Sequence, residues 1–234
     1  MTISRVGAAL AALLLSGPVQ AGEGDCFDAV DLDKPVALAT VTGPERVPFV
    51  KSAHAAAGCP GPDGSCREKA YLVAGNAVLV GQARGAFVCA TYVGAKGATR
   101  SGWLPRTALT DAAPATPALD DWAGSWQGSP EHRIRITRTG AGLALAGDAT
   151  YGALDPDRVK RGAVNIGSFS VEARPQAGTL AFTDGENGVV PRYSPDDYTA
   201  CSVRMRLMPP FLLVESNAAC GGANVSFTGI YRRG

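Results

Sequence analysis

Ser202-Val-Arg-Met-Arg-Leu-Met208 places valine, methionine and leucine at every second position with arginine between them. A period of two belongs to a strand with one dry face and one wet face. Ile134 and Ile136 repeat the pattern between Arg133, Arg135 and Thr137. Further short apolar runs, each bounded by Gly, Pro, Asn or Asp, predict strands at 36–41, 70–73, 78–82, 87–93 and 102–104. Later ones fall at 122–127, 143–149, 164–171, 179–183, 211–215 and 225–231. With 29 Gly and 16 Pro and a low charged fraction, the chain reads as all-β. So many short strands avoid open edges most simply in antiparallel barrels.

The run Asp111-Ala-Ala-Pro-Ala-Thr-Pro-Ala118 lacks large apolar residues, and its two prolines resist both helix and sheet. It predicts an Ala/Pro linker at 110–119 between a small domain at 22–109 and a second at 120–234. The first 21 residues read differently. Arg5 precedes an apolar run at 6–15, and Pro18-Val19-Gln20-Ala21 offers a small-residue cleavage site, the pattern of a secretory signal peptide. That run is shorter than the roughly 20 residues a membrane helix needs, Gly17-Pro18 interrupts it, and no later window is apolar enough to span. Gly22-Glu23-Gly24-Asp25 supplies no cysteine for a lipid anchor at the predicted cut. The expected location is periplasmic or secreted.

In such a compartment the six cysteines read as disulfides, and no two of them form the C-x-x-C of a zinc site. Cys59 and Cys66 close a Pro- and Gly-rich loop whose ends can reach the roughly 4.4–6.8 Å Cα separation a disulfide requires. Cys201 is assigned to Cys220, joining a late strand to the loop before the last one. Cys26 and Cys89 pair by elimination.

Residues 70–109 resemble a bacterial Src-homology-3-type domain. Ala70-Tyr-Leu-Val-Ala-Gly75-Asn-Ala-Val-Leu-Val80 matches that family's strand, glycine turn and strand, and Gly102-Trp103-Leu104-Pro105 with Leu109 matches its closing segment. The resemblance implies a small five-stranded SH3-like barrel. Phe87 stands where the family often has tryptophan, and the acidic and aromatic residues that grip proline-rich ligands in eukaryotic relatives are not recognisable, so binding does not transfer with the fold. Trp103 is read as core packing. In the second domain Gly124-Ser-Trp126 resembles the opening of lipocalin-like antiparallel barrels. The closing segment 217–231 is similar to the ends of small secreted bacterial proteins of lysozyme-inhibitor-like type, which implies binding of a protein or wall component. Gly221-Gly222 after Cys220 reads as a tight turn.

Catalysis and nucleic-acid binding find little footing. The only histidines, His54 and His132, fall in different predicted domains, and no Gly-x-Ser-x-Gly, phosphate loop, His-Glu-x-x-His or Rossmann pattern occurs. Asp120-Asp121, Asp155-Pro-Asp157 and Asp196-Asp197 lie beside proline or in turns, where aspartate caps a loop. The 22 basic and 21 acidic residues leave no charge excess for phosphates. No cofactor or metal is expected. The one candidate binding surface is a basic stripe of Arg133, Arg135, Arg204 and Arg206 on outward strand faces, suited to an anionic partner. Arginine stems covering a barrel wall are the plainer account of it. The expectation is an exported, non-catalytic binding or inhibitory protein with an unknown protein or cell-wall partner. A barrel carrying a small apolar ligand is the alternative, and a wall hydrolase the outsider.

Overall fold

The computed structural model describes residues 26, 30–43, 45–94, 97–113, 115–140, 142–185 and 192–234. The predicted signal peptide at 1–21 lies outside the described residues. The first domain holds β1 (Ala37–Val41), β2 (Val47–Val50), β3 (Arg67–Leu72), β4 (Ala77–Arg84), β5 (Phe87–Val93), β6 (Thr99–Pro105) and β7 (Leu109–Asp111). They form one sheet in the order β3-β2-β6-β5-β4-β1-β7. A single 3-10 turn, Arg106–Ala108, leads from β6 into β7, which returns to pair with β1. The second domain holds α1 (Leu119–Trp122), β8 (Gly124–Ser129), β9 (His132–Thr139), β10 (Gly142–Tyr151), α2 (Pro156–Lys160), β11 (Asn165–Ala173), β12 (Thr179–Asp184), β13 (Cys201–Met208), β14 (Phe211–Ser216) and β15 (Gly229–Arg233). Its sheet order, β11-β10-β9-β8-β15-β14-β13-β12, places every strand beside its neighbour in sequence and brings the last strand back to the first. The sheet is a nearly closed up-and-down barrel. Its seam lies between β11 and β12, where the Phe169 and Phe182 rings meet at 5.1 Å.

Alternation places Ile134, Ile136, Val203, Met205 and Leu207 inside, each no more than 2 % exposed. Trp126, Phe169, Phe182, Phe227 and Tyr231 join them in one buried cluster that fills the interior. The buried Tyr231 hydroxyl donates to the Phe227 carbonyl at 2.8 Å, and burial pushes its pKa upward. The three disulfides join Cys26 to Cys89, Cys59 to Cys66 and Cys201 to Cys220, the pairs named from the sequence. Trp103 is buried among Cys59, Cys66 and Cys89.

Three local expectations change. Trp122 is not in a strand: Asp121 accepts from the Ala118 N–H at 2.7 Å, a one-turn helix results, and the Trp122 carbonyl takes the Trp126 indole N–H at 2.9 Å. The strand expected at 225–231 begins only at Gly229, because hydroxyls stand in for ladder partners. Ser216 Oγ accepts the Phe227 N–H, and Thr228 Oγ1 accepts the Ser216 N–H, both at 2.9 Å. The predicted linker also shortens at both ends, since 110–111 belong to β7 and Leu119 opens α1.

The two domains touch along the outer wall formed by β13, β14 and β15. Leu32, Leu79 and Val93 pack against Phe211, Leu213 and Ile230 in a shared buried cluster. Gly97 approaches β8 so closely that a Cβ on it, at its φ of +79°, would lie 2.5 Å from the Gly128 carbonyl oxygen.

Candidate functional site

The four arginines read as one stripe do not share a surface. β9 and β13 stand four places apart in a ring of eight strands, so Arg133 and Arg135 point outward from the wall opposite Arg204 and Arg206. Arg133 and Arg135 are exposed, with Asp148 opposite Arg133 in the ladder. Arg204 and Arg206 serve the domain interface instead. Arg204 forks onto Asp33 at 2.7 and 3.1 Å, and its Nε donates to Glu215 at 3.0 Å. Asp33 is thereby held below the usual carboxylate range, first by the hydrogen bonds from Arg204 and then by its charge. Arg206 donates to the Leu32 carbonyl at 2.9 Å, and Arg232 to the Val93 carbonyl at 2.8 Å. Charge is used here to seat one domain on the other.

The aspartate clusters have structural partners as well. Asp120 pairs with Arg138 at 2.5 Å, Asp155 accepts two N–H groups at the start of α2, and Asp197 accepts the Thr199 N–H and hydroxyl. His54 and His132 lie in separate domains. The aromatic cluster described above lies in the barrel interior, where a carrier would hold its ligand.

A different surface emerges from the strand connections. At one end of the barrel the joins span 140–141, 174–178 and 209–210; at the other they span 130–131, 152–164, 185–200 and 217–228. Connections beyond about 12 residues are uncommon in compact domains and are often functional. These long ones are tied to each other. Glu131 accepts from the Thr150 hydroxyl at 3.1 Å and the Ala153 N–H at 2.7 Å. Asn165 donates to the Ala223 carbonyl at 2.6 Å, and the Asn217 amide donates to the Asp197 and Ala200 carbonyls, both at 2.9 Å. The Cys201–Cys220 bond joins the base of β13 to the last of them.

On this tied platform lie Tyr151, Leu154, Val159, Ile166 and Tyr198. They are the exposed large apolar side chains of the second domain among the described residues. Ile166 is 70 % and Leu154 64 % exposed. Local chemistry accounts for part of the arrangement. Asp155 caps α2, Pro156 opens it, and Leu154 and Val159 occupy the flanking positions at which apolar residues staple a helix start. Arg158 stacks over Tyr151 at 4.7 Å and donates to the Ala163 carbonyl at 3.2 Å. The sequence reading passed over this surface, although the Asp155-Pro156 cap between two apolar residues was a visible signal for it.

No family model, curated protein or solved structure matches the chain.

Proposed function

We propose that the chain is an exported, non-catalytic binding or inhibitory protein of the periplasm or cell wall, and that it holds its partner at the long-loop end of the barrel. One observation carries this reading: the exposed apolar side chains of the second domain gather at the end where the strand connections are long and mutually tied. Exposed apolar groups gathered on one face mark an interaction site, whereas isolated ones need no explanation. Three disulfides suit an oxidising compartment, and among the described residues no helix is long and apolar enough to cross a membrane.

The SH3-like reading of the first domain rests on residues 70–109; the five strands it implied are here part of a seven-stranded sheet that also takes in β1 and β2, with β7 returning to pair with β1. In this reading that domain acts as a brace, clamped to the barrel wall by Arg204, Arg206 and Arg232. The resemblance to lysozyme-inhibitor-like ends implies the partner's class, a protein or a wall component.

The test is a double variant, Leu154→Asp with Ile166→Asp. Both side chains are largely exposed, so the fold should survive the change although Leu154 flanks the start of α2. Retention of purified sacculi and of periplasmic proteins should fall at least tenfold relative to the unmodified protein. Undiminished retention of both fractions by a folded double variant would overturn the assignment of this end.

A further inference from the structure

The segment 30–36, which leads into β1, borders a cleft of about 510 Å³ between the two domains. Ligand sites favour domain interfaces and clefts of about this size. Leu79, Val80, Leu213 and Ile230 give it apolar walls on both sides of the joint. Among the described residues its charged lining is Asp31, Lys34 and Glu215, two carboxylates and one ammonium.

Those carboxylates differ in what they already hold. Arg204 directs both of its Glu215 hydrogen bonds to Oε2, and Oε1 accepts none among the described residues. Asp31 accepts the Asp33 N–H at 3.1 Å and faces Lys34 at 3.1 Å. The Lys34 side chain is 78 % exposed, and an exposed pair of this kind is weak and readily exchanged for another cation. Arg204 is committed to Asp33 and Glu215, so an anionic head group would meet carboxylates here without a free cation from that residue.

We infer that the interdomain cleft binds a cationic amphiphile: an apolar chain lies against Leu79, Leu213 and Ile230, and a primary ammonium donates to Glu215 Oε1 and Asp31. The site is separate from the long-loop end, and neither reading depends on the other.

The probes are octylamine, octanol and octanoate, one chain with three head charges, titrated at neutral pH into the full chain with methyl-labelled Ile, Leu and Val. Octylamine should shift the Leu79, Leu213 and Ile230 methyl signals and bind about tenfold more tightly than octanol, the size of one charge-assisted hydrogen bond, with octanoate weakest. Glu215→Gln should bring octylamine down to the octanol level and leave octanol unchanged. Lys34→Ala, at an exposed position, should tighten octylamine by removing the competing cation. If Glu215→Gln fails to fold, the probe series on the unmodified protein and Lys34→Ala still decides. Equal affinity for the three probes, or no tightening in Lys34→Ala, overturns the ammonium assignment. Unmoved Leu79, Leu213 and Ile230 signals overturn the site.

Discussion

The two ends of the barrel are made by the same eight strands and differ in how those strands are joined. At one end the Pro209-Pro210 pair turns the chain within two residues, and α1 brings Trp122 into the core. At the other, long connections carry their own hydrogen bonds, a disulfide and two side chains, Val225 and Phe227, that reach into the interior. Tight turns only continue a sheet, whereas long connections gain surface to present. They stay ordered only by burying something or tying to something.

If the long end is core as well as surface, Phe227→Ala should cost about 3–5 kcal/mol, since its ring meets Phe169 at 4.8 Å and it is fully buried. Urea unfolding measures this. A loss below about 1 kcal/mol would show that the connection merely rests on the barrel. Next in size is the covalent tie. Replacing Cys201 and Cys220 together by serine should lower stability by about 2–4 kcal/mol and raise hydrogen exchange at 217–228 while leaving 209–210 unchanged. Exchange rising equally at both ends would erase the distinction.

The smallest effect is in pH. His132 opens β9 at the long end, and burial lowers its pKa from an ordinary 6.5. The unfolded ring therefore takes up a proton before the folded one. Stability from the neutral ring is complete above about 6.5 and declines as pH falls through that value toward the folded pKa. The joins at 140–141, 174–178 and 209–210 hold no histidine or carboxylate. Thermal midpoints should thus fall between pH 8 and pH 5, with opening confined to the long end, and His132→Gln should flatten the trend. An unchanged slope in that variant would remove His132 from the account.

Period-two alternation made the barrel walls readable, because inward and outward positions separate cleanly wherever one face meets water. The same rule shows why other parts were missed. Phe211-Leu-Leu-Val214 has no alternation, and all four are buried, because β14 has the barrel core behind it and the first domain in front. An unbroken apolar run in an antiparallel sheet signals burial on both faces, and that signal was present. Arg204 and Arg206 do leave the barrel wall, yet the groups they meet, Asp33 and the Leu32 carbonyl, lie more than 170 residues away in sequence. No local pattern encodes such a partner. β2 was hidden by Pro48, a residue that argues against a strand interior, and the ladder shifts register between Pro48 and Val50. At 225–228 side-chain hydroxyls replace backbone partners, a substitution that strand propensity does not register.

The joint between the domains also sets an order of events. Ile230 and Arg232 belong to the final strand, and they meet Leu79 and Val93 of a sheet formed by residues much earlier in the chain. Until β15 is in place, the first domain has an apolar flank open to water, the kind of surface through which incompletely folded chains aggregate. β15 then completes two structures together, because it pairs with β8 to close the ring of strands and covers the flank of the older domain. A chain that stops short of Gly229 loses both.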